Sequence, residues 1–137
     1  MIVVDSSAVI AMMLGGPQAA VLARRLAQDS ERVMSVASYL ETGTVLAGRR
    51  RQDRLKAIDE LDVFLSEIGI DLVAVDAPQG RLALSARIVH GRGMGHGGVL
   101  NFGGAFSYAL AKSLDAPLLF VGDDFTATDI RSALAVG

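Results

Sequence analysis

Short apolar runs rich in β-branched residues alternate along this chain with longer stretches whose apolar positions recur every three or four residues. The first run, Ile2, Val3 and Val4, ends at Asp5 and suits a buried strand. Ser6 or Ser7 can cap a helix that continues through Leu14, and Gly15-Gly16-Pro17 ends it and opens another. Over residues 17–27, Val21, Leu22 and Leu26 mark one helical face while Arg24 and Arg25 mark another. Residues 33–36 form a brief strand candidate, after which Ser35 or Ser38 can cap a helix carrying Tyr39, Leu40, Glu41, Val45 and Leu46.

The clearest helix spans residues 53–68. Leu55, Ile58, Leu61, Leu65 and Ile68 share its inner face, Lys56, Asp59 and Glu60 point away, and Gly69 closes it as a left-handed cap would. Residues 71–75 read as the next strand. Asp76 then caps a helix with Pro78 in its first turn, running to about His90. Seven glycines between positions 91 and 104 predict a long mobile loop, followed by a helix from about 105 to 114. Ala116-Pro117 breaks the chain before a last strand over 118–121, which leads into Gly122-Asp123-Asp124.

Apolar strands alternating with amphipathic helices predict an α/β fold, a central parallel sheet with helices on both faces. The 137 residues carry no internal repeat or linker and read as one domain over 1–137. The absence of cysteine excludes a disulfide framework, a thiolate metal site and a cysteine nucleophile. Although 51% of residues are hydrophobic, the longest apolar run covers only residues 8–14, well short of the roughly 20 a membrane span needs. Asp5 interrupts any secretory-signal pattern, so the cytoplasm is the expected compartment. The net charge of −2 offers no global attraction for a polyanion, which local arginines or a metal would have to hold. Arg49, Arg50, Arg51 and Arg54 form the densest basic cluster, and a solvated helix end explains it as well as an RNA contact does.

Open α/β sheets bind ligands at the carboxyl ends of their strands. Asp5 ends the first strand, Asp123 and Asp124 follow the last, and Glu41 lies on the helix after the second. Carboxylates gathered there repel one another unless one is protonated or a cation holds them, and hard oxygen donors favour Mg²⁺, with Mn²⁺ as a substitute. Such an ion can activate water and offset charge on a phosphodiester. Each acid alone is more simply a helix cap or turn residue. His90 and His96 are too far apart for a metal pair, and the glycines lack the Lys-Ser/Thr ending of a phosphate loop.

Four stretches together carry a family resemblance: Val3-Val-Asp5-Ser-Ser-Ala; Ser35-Val-Ala-Ser-Tyr-Leu-Glu41-Thr; Leu100-Asn-Phe-Gly103 leading into Phe106-Ser-Tyr-Ala-Leu-Ala111; and Pro117-Leu-Leu-Phe-Val-Gly122-Asp-Asp-Phe125 with Thr128-Asp129-Ile130. In this order they resemble the VapC-type PIN-domain ribonucleases, the toxins of bacterial type II toxin–antitoxin pairs. The resemblance implies a PIN-like fold, Mg²⁺-dependent endoribonuclease activity on tRNA or rRNA, homodimerisation, and inhibition by a VapB-type antitoxin. It implies Asp5, Glu41 and Asp124 as catalytic metal ligands, with Asp123 as an assisting neighbour. Ser6 could bond a metal-bound acid or cap the first helix, and Asp129 could orient a ligand or cap a final turn.

The chain departs from the family pattern at one place. Where the family reads Gly-Asp-Cys-Phe, this chain reads Gly103-Gly104-Ala105-Phe106, so Gly104 stands at the third acid's position. The expected consequences are a void beside the acids and a nuclease impaired in this exact sequence. The alternative is a catalytically inactive protein that still dimerises and captures the antitoxin. A phosphoacceptor receiver domain also gathers acids at strand ends, but Ser6 follows Asp5 and Gly122-Asp123-Asp124 carries no lysine, which argues against it.

Overall fold

The computed structural model describes residues 1–94 and 98–134. Four parallel strands, β1 (Ile2–Val4), β2 (Arg32–Ser35), β3 (Ile70–Val73) and β4 (Leu118–Leu119), lie in the order β3-β2-β1-β4. Between β1 and β2 run α1 (Ser6–Met13) and α2 (Ala19–Leu26), and between β2 and β3 run α3 (Val36–Gly48) and α4 (Lys56–Ile68). The helices α5 (Ala77–His90) and α6 (Phe102–Leu114) carry the chain from β3 back across the sheet to β4.

Side chains alternate across a strand, and the two cores show it. Ile2, Val4, Met34 and Leu119 pack on one face with Ala8 and Val9 of α1, Leu22 and Leu26 of α2, and Leu61 and Leu65 of α4. Val3 and Leu118 face the other way, against Ala83 and Ala86 of α5 and Ala105, Ala109 and Leu110 of α6. The expected parallel sheet with both faces covered is therefore present. Fully buried apolar strands of this kind explain why the sequence shows continuous runs rather than alternation.

Several element ends differ from the sequence expectations. The strand β3 stops at Val73 because its partner β2 ends at Ser35, whose hydroxyl accepts the Ala37 N–H and caps α3. The strand β4 has only two residues. Asp5 N–H still bonds Leu119 C=O, but the Val121 N–H goes to the Ser7 hydroxyl, so a side chain replaces the next rung of the ladder. The helix α6 starts at Phe102 rather than near 105, because the Asn101 side chain accepts the Gly104 N–H at 2.7 Å. That cap places Gly103 and Gly104 inside the first turn.

The glycine-rich segment is closed at its base. Gly91 bridges to Leu100, Leu100 N–H bonds His90 C=O, and a Cβ at Gly91 would strike the Arg87 carbonyl. His96, singled out in the sequence, lies outside the described residues. No helix among the described residues is long and apolar enough to cross a membrane.

Asn101→Ala removes the side chain that starts α6 and should cost about 1 kcal/mol of stability. Urea unfolding should show a lowered midpoint with an unchanged slope, and an unchanged midpoint would show that the cap is dispensable.

Candidate active site

The strand order reverses direction at β1: the chain first builds outward to β2 and β3, then returns to place β4 on the opposite side. The crevice between β1 and β4, beyond their carboxyl ends, is the switch point where open α/β sheets bind ligands. Asp5 is the first residue past β1 and stands at that crevice.

Asp5, rather than Ser6 or Ser7, caps α1. One carboxylate oxygen, Oδ2, accepts the Ser7 N–H at 3.0 Å and the Ser7 hydroxyl at 2.6 Å. The other, Oδ1, accepts the Ser107 hydroxyl of α6 at 2.6 Å. Ser107 Oγ also lies 2.9 Å from Ser38 Oγ of α3. A serine has one proton to give, so with Ser107 donating to Asp5, Ser38 donates to Ser107. Asp5 is 5% exposed, and the three donors offset the cost of desolvating its charge.

Ser6 is resolved by the structure in favour of the acid. Its hydroxyl donates to Glu41 Oε1 at 2.5 Å. On its other side Glu41 occupies the space that any side chain at 103 would need: a Cβ there would collide with Oε2. Glycine at 103 is thus what lets α6 approach the carboxylate of α3. Ser6 thus bonds Glu41 directly after Asp5 in the chain, and neither acid has a Lys or Arg ion-pair partner among the described residues.

Other expected residues are placed differently. Among the described residues no group of three or more His, Asp or Glu side chains is arranged to share one ion. Asp124 is not grouped with Asp5 and Glu41, because β4 ends at Leu119 and Asp124 lies in the turn beyond it, half-buried. That turn is nevertheless tied to Asp5 through Val121 and Ser7. Asp123 is exposed, and its backbone carbonyl closes the turn by accepting from Thr126. Asp129 bonds the Tyr108 hydroxyl at 2.6 Å and Lys112 Nζ at 2.9 Å, which ties it to α6. His90 stacks at an angle beside Tyr108. The basic cluster holds the α3–α4 turn, with Arg50 paired to Glu60 and bonded to the Gln52 and Asp53 carbonyls.

The void expected at Gly104 is absent. Gly104 is buried, and a Cβ there would meet Leu100 Cδ1 at 3.0 Å, Asn101 Oδ1 at 3.1 Å and Phe125 Cζ at 3.4 Å. Leu100 and Phe125 have closed the space, and a side chain would need them to give by a few tenths of an ångström.

Sequence reading missed Ser7, Ser38 and Ser107. The available signal was Ser107 itself, a lone serine in the run Phe106-Ser-Tyr-Ala-Leu-Ala111, and Ser38, one helical turn before Glu41.

An oxygen-only donor set without a basic counter-charge suits a hard dication. Mg²⁺ keeps several waters and commonly uses one or two carboxylates, so a pair such as Asp5 and Glu41 fits it without a closed protein cage.

Comparison with known proteins identifies the family. The sequence profile of the PIN domain matches residues 2–131. Ribonuclease VapC42 of Mycobacterium tuberculosis is 43% identical over 131 residues, covering 96% of this chain and 98% of that protein. Ribonuclease VapC of Mycolicibacterium smegmatis is 43% identical over 130 residues, covering 95% and 98%. Among solved structures, Mycobacterium tuberculosis VapC20, a sarcin-ricin loop cleaving toxin, superposes with a TM-score of 0.73 at 19% identity, covering 95% of this chain and 96% of that one. A toxin–antitoxin complex from Klebsiella pneumoniae gives 0.70 at 13% identity, covering 94% and 93%.

Behind α6, burial and then the bond to Asp129 push the Tyr108 phenol up to about 12, while Tyr108 and then Lys112 hold the Asp129 carboxyl below its ordinary value. The raised phenol contributes stability that is fully present below pH 10 and is lost as pH rises from 10 towards 12. Over that window Tyr108→Phe should lose on the order of 2 kcal/mol less stability than the parent. Parallel alkaline unfolding curves for the two would overturn the assignment.

Proposed function

The chain belongs to the PIN-domain family, in its VapC-type branch, and from that premise we propose that it is an endoribonuclease toxin of a VapB–VapC pair whose hydrolytic site is impaired by Gly104. The observation that supports this most is Asp5 held by serine donors at the carboxyl end of β1, with the adjacent Ser6 bonded to Glu41.

On this reading Asp5 and Glu41 would hold Mg²⁺, or Mn²⁺ in its place, while Asp124, in the turn after β4, stays outside that group. The ion supplies an activated water and neutralises charge on the scissile phosphate. The protein's own part is orientation. Ser107 and Ser7 fix both oxygens of Asp5, and Ser6 fixes Glu41, so neither carboxylate must reorganise when substrate arrives. Gly104 supplies no carboxylate at the third acid's position, which would leave the site with less charge to hold a dication.

The relatives extend the reading to partners. The Klebsiella complex pairs a toxin with its antitoxin, and we extend that to a VapB-type antitoxin for this chain. Exposed apolar side chains remain on α3 and α4 (Val36, Val45, Ile58) and on α5 (Leu84, Ile88, Val89), and these are the surfaces we assign to a homodimer and an antitoxin contact. The closed packing at Gly104 also favours a second reading, an inactive protein that retains only dimerisation and antitoxin capture.

Cleavage of total RNA separates the two. Since even groups that only support metal ligands matter by roughly 10–100-fold, Gly104→Asp, alone or with Ala105→Cys, should raise Mg²⁺-dependent cleavage by at least that factor. Asp5→Asn in the revertant should abolish it again. Equal activity of parent and revertant would show that position 104 is not an acid's place, and inactivity of both with intact antitoxin binding would favour the second reading.

A separate variant probes the approach of α6. Gly103→Ala in the Gly104→Asp background should preserve folding, because alanine favours a helix by roughly 1 kcal/mol over glycine. It should nevertheless remove most cleavage by displacing Glu41. Retained cleavage would mean that the position of Glu41 is not critical.

A further inference from the structure

The first turn of α6 leaves an aromatic surface beside Glu41 that the acid pair does not use. Phe102 is 71% exposed, and its ring meets Phe106 edge-on with centroids 5.1 Å apart. Both rings line a cleft of about 460 Å³ together with Ala37, Leu40, Glu41 and Gly103. They also border a second cavity of about 390 Å³ on the α5 side, near Leu84 and Met94, so the aromatic pair forms a ridge with open space on two sides.

A ring pair four residues apart supports a helix by only a few tenths of a kcal/mol. That does not account for a phenylalanine held in solvent at the first position of α6. The chemistry of the cleft narrows what could lie on it. Its walls carry one carboxylate, Glu41, and no Lys or Arg, so a bare phosphate is repelled there. A flat, uncharged heterocycle is not repelled, and every nucleobase offers a face for stacking.

We propose that Phe102, backed by Phe106 and Leu40, is a stacking subsite for a nucleobase of the RNA, next to the phosphate addressed by Asp5 and Glu41. The subsite rests on the reading of the chain as a ribonuclease and adds a binding group to it. A strand whose base lies on Phe102 has its backbone running past Glu41, since both residues wall the same cleft. The chain thereby gains a hold on RNA that does not depend on positive charge, which its net charge of −2 does not supply.

The test uses fluorescence anisotropy with three short labelled probes of equal length: oligoadenylate, oligouridylate, and a base-free sugar–phosphate oligomer. Proteins compared are the full chain, Phe102→Leu, which keeps an apolar side chain, and Phe102→Tyr, which keeps the ring. Stacking on an aromatic side chain predicts that Phe102→Leu weakens oligoadenylate binding about tenfold and oligouridylate less, while Phe102→Tyr stays within about twofold. On the base-free oligomer the full chain and Phe102→Leu should bind alike.

Unchanged oligoadenylate affinity in Phe102→Leu overturns the subsite, as does a loss that persists on the base-free oligomer. Light scattering on the same samples covers the remaining occupant: if Phe102→Leu turns a dimer into a monomer, the ring belongs to a contact between copies and the subsite is overturned. A full chain that binds none of the three probes also overturns the subsite, whereas the ribonuclease reading stands or falls on the cleavage of total RNA by the Gly104→Asp variant. RNA binding that ignores position 102 overturns only the subsite.

Discussion

A carboxylate buried at the end of β1 is the constraint to which most of this site answers. Desolvating an unpaired charge costs several kcal/mol, and no basic side chain pairs with Asp5 among the described residues. Its stability in place therefore depends on donors, and they come from separate parts of the chain: the Ser7 amide and hydroxyl from α1, and the Ser107 hydroxyl from α6. Each donor has a second commitment. Ser7 accepts the Val121 N–H and so anchors the segment after β4, while Ser107 receives Ser38 of α3. One acid thus sets the spacing of three helices and a turn. Replacing it with an apolar residue would relieve the burial cost and at the same time remove the reason these elements meet.

The fold was legible in the sequence wherever burial on two faces wrote a continuous apolar run. Ile2, Val3 and Val4 read as a strand because both their neighbouring layers are apolar, and the face of Leu61 and Leu65 on α4 read as a helix by its spacing. Ends were less legible because side chains decide them. Whether α1 is capped by Asp5, Ser6 or Ser7 depends on which oxygen finds an N–H, and three adjacent candidates look alike in one dimension. The same holds for β4, which stops where the Ser7 hydroxyl takes an N–H that a longer strand would have used. In the site, Asp5 and Glu41 could be placed from strand-end logic, whereas Ser38 and Ser107 could not. Their partners lie 69 and 102 positions away, and a buried serine in a helix looks like a spacer until its partner is seen.

The adjacent glycines of α6 show how differently two copies of one residue can be used. At 103 the absence of a side chain is required, since Glu41 fills the volume a Cβ would take. At 104 nothing of the kind applies: a Cβ would touch Leu100, Asn101 and Phe125 at distances that small shifts relieve. A side chain at 103 therefore requires the end of the Glu41 side chain to move, and one at 104 requires Leu100, Asn101 and Phe125 to give by a few tenths of an ångström. This asymmetry is independent of any family comparison.

Taken with the proposed function, that asymmetry bears on how a weakened site could still engage RNA. Removing an acid at 104 lowers the negative charge that repels phosphate as well as the charge that holds a dication, so its effect on RNA binding need not follow its effect on cleavage. What survives unchanged is the part of the site built from packing: the serines that fix Asp5 and Glu41, and the aromatic edge of Phe102 and Phe106 beside them. None of these depends on a side chain at 104. On the proposed reading, binding and hydrolysis would rest on different residues of one cleft, so that loss of an acid at 104 would weaken the second while the architecture still supports the first.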